Sequence, residues 1–274
     1  MAGGTMMKRL VSSFAIALLF AASAYADVVF EIEQKELDPE STGQIKGKVK
    51  GDDLRMDMYE DGGKLDGSMI YRGASKEMIM IDHDDKSFVI LDEATMSALS
   101  AKLSAAMKQM EAQLQNLPPE QREQMKQMMG MGGSSDYVEP VLKKTGSGEV
   151  NGVACQKYDV FQGSEKVREY CVTQWGNIEG GQEMMNLMMQ MADSMENMMK
   201  SFSIPGNPMG SQVEFEENVF SRLRELNGFP IETVDFDDGE KESISTFSSS
   251  KKTTVDASEF VPPSDYKKQS MDLQ

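Results

Sequence analysis

Asp53-Leu54-Arg55-Met56-Asp57-Met58-Tyr59, Gly67-Ser68-Met69-Ile70-Tyr71-Arg72-Gly73, Met78-Ile79-Met80-Ile81-Asp82 and Ser87-Phe88-Val89-Ile90-Leu91 decide the fold. In the first segment Leu54, Met56 and Met58 alternate with Arg55, Asp57 and Tyr59. In the third and fourth, Ile79 and Ile81 alternate with Met78 and Met80, and Phe88 and Ile90 with Val89 and Leu91. A period of two over short segments, separated by Asp/Gly/Lys turns, predicts a four-strand antiparallel meander over 53–91. The last two strands are apolar on both faces, so each side of that end of the sheet needs a cover.

Upstream, Lys8 and Arg9 precede an apolar run from Leu10 to Ala22, and Ala24-Tyr25-Ala26 precedes Asp27. This is the pattern of a signal peptide over 1–26, cleaved between Ala26 and Asp27. The run is shorter than the roughly 20 residues of a membrane span. Removing 26 of the 274 residues leaves 248, room for one large domain. The leader holds two of the 28 basic residues and none of the 45 acidic ones, so the net charge moves from −17 to −19. Nucleic acid and anionic membrane surfaces both call for basic patches and are poor partners for such a chain. An exported, soluble protein that is not integral to a membrane, placed in the periplasm, is the expectation.

Cys155 and Cys171 are the only cysteines. They flank a hairpin expected from Gly152–Gln162 and Lys166–Thr173 about a Gly163-Ser164-Glu165 turn. Pairing about that turn sets Cys155 near 171–173, and export favours oxidation, so a cross-strand disulfide is predicted. A redox-active pair lacks its CxxC motif. GxSxG, HExxH and P-loop motifs are also absent, and the single histidine, His83, falls in a turn sequence. Catalytic residues, cofactors and a histidine-based metal site are therefore not expected.

Strands are expected at 27–34 and 43–51, before the meander. Asp92 has the character of a helix N-cap, and a long helix is predicted from Glu93 to Leu117, with Leu99, Leu103, Leu114 and several methionines on one stripe. Ala98, Ala101, Ala105 and Ala112 form a small-residue face that would let another element approach. A short helix over 120–129, a Gly/Ser linker over 130–136 and a strand over 137–144 follow. After the cysteine hairpin come a helix over 182–202, a short helix over 216–226, and strands at 229–236, 241–248 and 253–255, with Asp237-Asp238-Gly239 as a hairpin turn.

The helix over 182–202 holds Met184, Met185, Met188, Met189, Met191, Met195, Met198 and Met199, a third of the chain's 25 methionines. At about 100° per residue its apolar residues cover an arc of roughly 160°, wider than the stripe of a helix lying on one surface. Three readings stand side by side. One is a methionine-rich core, and another is an adaptable lid over a hydrophobic cavity. The third is a thioether site for a soft ion such as Cu(I).

Asp53-Leu54-Arg55-Met56-Asp57-Met58, Met78–Asp82 closing on Asp84–Phe88, and Gly152-Val153-Ala154-Cys155-Gln156-Lys157-Tyr158 resemble an exported bacterial family, domain of unknown function 4412. Phe229-Pro230-Ile231-Glu232 and Phe260-Val261-Pro262-Pro263-Ser264-Asp265-Tyr266 fit it too, so the likeness covers most of 27–268. That family is similar to the periplasmic lipoprotein-carrier superfold. The resemblance implies a curved antiparallel half-barrel whose concave face is lidded by helices, with a hydrophobic cargo between them.

The expectation is thus a single α+β domain over 27–268, a curved antiparallel sheet with helices across one face, and a tail over 269–274. The protein would be a non-enzymatic binder of an acyl chain or lipid-like molecule. Leu54, Met56, Met58, Ile79, Ile81, Phe88 and Ile90 are the sheet-side candidates, and Met184, Met188, Met191 and Met195 the lid-side ones. The alternatives are a copper-binding protein or an envelope protein-interaction module without a small ligand.

Overall fold

The computed structural model describes residues 27–115, 138–202 and 225–270, with the isolated positions 118 and 121. The leader, the helix expected at 120–129, the linker and most of the helix expected at 216–226 lie outside the described residues. The strands are β1 (Asp27–Leu37), β2 (Glu40–Lys50), β3 (Asp53–Tyr59), β4 (Leu65–Arg72), β5 (Glu77–Asp82), β6 (Ser87–Leu91), β7 (Val141–Val150), β8 (Val153–Gln162), β9 (Glu165–Thr173), β10 (Phe229–Asp237), β11 (Glu240–Thr253) and β12 (Lys267–Lys268). Two α-helices accompany them, α1 (Glu93–Gln115) and α2 (Gly181–Phe202).

All twelve strands form one open sheet in the order β12-β6-β5-β4-β3-β2-β1-β11-β10-β9-β8-β7. The predicted meander is β3 to β6. It continues through β2 to β1, and the cysteine hairpin continues through β10 to β11. The two antiparallel runs meet where β1 pairs β11. Only β12, laid beside β6, is parallel. Tight reversals fall where the residue types allow them. Asn151-Gly152 and Asp238-Gly239 both take positive φ at each position, the backbone of two-residue hairpin turns.

Asp92 caps α1 as expected, its Oδ1 accepting from the Thr95 N–H at 2.7 Å. The Thr95 side chain, and after it this backbone bond, hold the Asp92 carboxyl below its ordinary range. Two expectations need correction. The strand expected at 241–248 runs on without a break to Thr253, because Lys251 and Lys252 stay paired with Val29 and Val28, and residues 254–255 lie beyond it. The alanine face of α1 is exposed, and Leu99 and Leu114 carry its burial instead. Beyond β12, the Gln269 N–H donates to the Phe88 carbonyl at 2.8 Å.

Register assigns the sheet faces from β1 to β6. Val28, Val49, Leu54, Tyr71, Met78 and Leu91 stand in one cross-strand row, on what we term the helix face. Val29, Lys48, Arg55, Ile70, Ile79 and Ile90 form the neighbouring row on the opposite face. The helix-face row belongs to a core cluster that includes Met184, Leu187 and Met191 of α2. On the opposite face, Ile70, Ile79 and Ile81 pack with Val255 and Phe260 of the C-terminal segment. At the doubly apolar end Met78 and Leu91 thus join one cluster and Ile79, Ile81, Phe88 and Ile90 the other, while Met80 on the first face stays 37% exposed.

Candidate functional site

The seam between α2 and the helix face is the first candidate. A tight turn, Trp175–Asn177, leads into α2, and Gly180 at φ +75° lets the backbone lie against Val28. A Cβ on Gly180 would sit 2.4 Å from a Val28 methyl, so only glycine suits this approach. Two carboxylates fasten the same end to β11. Glu179 Oε1 accepts from the Lys252 N–H at 2.7 Å, and Lys252 Nζ donates to Glu183 Oε1 at 2.6 Å. The ammonium beside Glu183 holds that carboxyl below its ordinary range. Further along, Tyr71 OH and Ser194 Oγ are 2.8 Å apart, and Gln190 Nε2 donates to Asp52 Oδ1 at 3.0 Å.

Between these ties the helix turns thioethers onto the sheet. Met184, Leu187 and Met191 retain 3%, 2% and 7% of their exposure, so the seam is closed along this line. Met185, Met188 and Met195 flank it, partly buried against the same cluster, which Leu54 and Met56 also join. Met58 shares the face of Leu54 through its pairing with Ile45 and Gly67. Ile79, Ile81, Phe88 and Ile90 do not. They belong to the opposite cluster, beneath the C-terminal segment. The seven sheet-side candidates therefore cannot line one cavity. The four lid-side methionines, with Leu54 and Met56, form one apolar cluster.

An open cleft of about 530 Å³ lies elsewhere, over 46–48 of β2, 29–31 of β1 and 249–251 of β11, with Glu179 at its side. None of the eleven candidate residues lines it. Within the same three strands, the Phe30 ring lies over Gly47, where a Cβ would fall 2.0 Å from a ring carbon.

The opposite face holds a polar chain that the sequence did not reveal. Ser68 Oγ is 2.6 Å from Asp57 Oδ1 and 2.8 Å from His83 Nε2, while His83 Nδ1 is 2.9 Å from Tyr266 OH. Arg55 Nε donates to the same Asp57 oxygen, and its other arm donates to the Glu259 carbonyl. Ser68 has one proton to donate, and the carboxylate takes it. His83 Nε2–H must then donate to Ser68, which leaves Nδ1 to accept from the Tyr266 hydroxyl. Burial, with the Arg55 charge, holds the imidazole below its ordinary pKa, in keeping with this neutral form. Serine, histidine and aspartate meet here, but Asp57 contacts the serine rather than the ring, and Ser68 is wholly buried. A base-activated nucleophile needs the reverse order and an open face. The chain of contacts instead fastens Tyr266 and residues 259–260 to the sheet, aided by Arg72 donating to the Phe260 carbonyl.

Cys155 and Cys171 form the predicted disulfide, with Cα atoms 5.4 Å apart. No group of His, Cys, Asp and Glu side chains suited to a metal occurs among the described residues. No described helix is long and apolar enough to cross a membrane.

No protein-family model and no curated protein matches the chain. Among solved structures it is similar to an uncharacterized conserved protein from Thermus thermophilus, at 8% identity and a TM-score of 0.45, over 89% of this chain and 90% of that one. It is also similar to MucB, at 10% identity and a TM-score of 0.36, over 89% of this chain and 60% of MucB. The MucA/MucB complex of Pseudomonas aeruginosa aligns at 8% identity and a TM-score of 0.37, over 91% of this chain and 59% of the matched one.

Proposed function

We propose that the protein is an exported, non-enzymatic binding protein of the periplasm that takes an acyl chain or similar apolar ligand into the seam beneath α2. The observation that carries this reading is the shared cluster of Leu54, Met56, Met184, Met188, Met191 and Met195. The seam is closed without ligand, so binding requires the helix to shift and its side chains to repack. Unbranched thioethers suit such repacking better than branched residues do. The signal sequence and the disulfide support export. The resemblance to domain of unknown function 4412 and the lipoprotein-carrier superfold is part of this proposal.

The test is native mass spectrometry of protein released gently from the periplasm without detergent. Adducts of acyl-chain mass are expected. Met188→Glu with Met195→Glu should abolish them while leaving the near-ultraviolet signature of the folded sheet. A ligand-free mass for the parent protein, or unchanged retention in the variant, overturns the reading.

A second reading rests on β7, the outermost described strand on its side of the sheet, where Val141 is exposed, with exposed Val138 just before it. A partner polypeptide could extend the sheet there. Under that reading the protein purifies free of small ligands, and cross-links placed at residue 141 capture an envelope protein.

A further inference from the structure

We propose that Met185, Met188 and Met195 of α2 form an oxidant-modification site, whose conversion to sulfoxides releases the helix from the sheet. The inference stands on the packing of α2 and requires no ligand. Among the described residues of α2, these three methionines combine two properties, which Met56 of β3 shares. Their partial exposure admits small oxidants, and their contact with the core makes any change of polarity felt. Met184 and Met191 touch the core but are buried, whereas Met80 is 37% exposed on a strand.

The chemistry favours thioethers here. Both cysteines are held in the disulfide, so no thiol competes for the oxidant. A peroxide transfers one oxygen to sulfur. The sulfur loses two electrons as the S–O bond forms, the O–O bond breaks, and the peroxide leaves as water. The sulfoxide is a strong hydrogen-bond acceptor. The cluster it would face is built mainly from side chains such as Val28, Leu54, Leu187 and Ile231, which donate nothing, with Tyr71 and Trp175 its members that carry a donor. The nearby Tyr71 hydroxyl is already engaged with Ser194. A polar group without a partner is disfavoured in such a place, so the modified face turns towards water. Reduction of the sulfoxide by two thiols, which leave as a disulfide and water, would restore the packing.

The experiment treats the disulfide-intact, leaderless chain with dilute hydrogen peroxide. Peptide mass mapping, emission of Trp175 and protease cleavage within α2 follow the reaction together. Trp175 is the only tryptophan and lies buried in the turn before α2, in the same cluster. Met185, Met188 and Met195 are expected to gain oxygen several-fold faster than Met184 and Met191. Cleavage in α2 should rise several-fold with their modification, and methionine sulfoxide reductase with a dithiol should reverse it. The variant Met185→Leu/Met188→Leu/Met195→Leu should keep the slow cleavage under oxidant while Met80 still oxidises. If the triple variant folds poorly, Met188→Leu alone should give a partial effect. Oxidation of the three methionines without faster cleavage overturns the proposal, and so does equal sensitivity of a folded leucine variant.

Discussion

His83 is the chain's only histidine, and its surroundings fix its protonation state. It donates to Ser68 and accepts from Tyr266, next to Arg55 and Asp57, and burial with the Arg55 charge holds its pKa down. The folded state therefore binds this proton less readily than the unfolded chain. The stability linked to the ring is complete above its unfolded pKa of about 6.5, and it is lost as pH falls from there towards the lower folded value. Asp92 also has a depressed pKa, but as a carboxylate it loses its contribution only below about pH 4. Urea midpoints measured at about pH 7 and about pH 5.5 should thus fall for the parent protein and stay level for His83→Gln. An equal fall in both would show that the ring is not buried neutral. None of this was legible in the sequence. The turn residues Asp82-His83-Asp84-Asp85-Lys86 signalled a reversal, but the ring's partners lie 15 and 183 positions away. Gly47 was equally silent, because its role depends on the Phe30 ring opposite.

At the scale of elements, alternation placed the strands of the meander and the cysteine hairpin, while the faces of two strands were misjudged. In β3 the contrast of Leu54 and Met56 with Arg55 and Asp57 marks a wet side. In β5 and β6 both sets are apolar, so period two offers no in-or-out contrast. Turn length sets the register instead, pairing Tyr71 with Met78 and Ile70 with Ile79. Apolarity alone had grouped Ile79 with Leu54. The hairpin was easier, because a Gly-centred turn and two flanking cysteines fix the pairing locally. Its disulfide joins residues 16 apart. In the chain-entropy model, closing a loop of that size stabilises by about 3 kcal/mol. Cys155→Ala with Cys171→Ala should lower the unfolding free energy by about that amount, read from urea titrations. A loss below about 1 kcal/mol would mean that β8 and β9 hold their register through the ladder alone. The exposed alanine face of α1 shows the opposite limit. Small residues permit close approach without requiring it.

The described strands form one sheet with a separate core cluster on each face. Residues of the methionine helix join one cluster, and a short strap, from Val255 through Phe260 to Tyr266, joins the other. The helix is tied at its N-terminal end by Glu179 and Glu183 to Lys252, and further along by Ser194 to Tyr71 and Gln190 to Asp52. The strap is fastened along its length, by Lys48 and Arg55 at residue 259, Arg72 at Phe260, His83 at Tyr266, and backbone bonds from Lys267 and Gln269. The two covers predict two kinds of mutational response. Phe260→Ala empties a site buried to 3% against Ile70, Ile79 and Ile81, and a deletion of that type costs about 3–5 kcal/mol. Its effect should appear as faster amide exchange across β3 to β6 and a lower urea midpoint, with Trp175 emission in the native state unchanged. Disturbance of Trp175 by Phe260→Ala would mean that the two covers act as one cooperative unit. An α2 that opens for a ligand or an oxidant would then have to loosen the strap as well, against every bond that holds it.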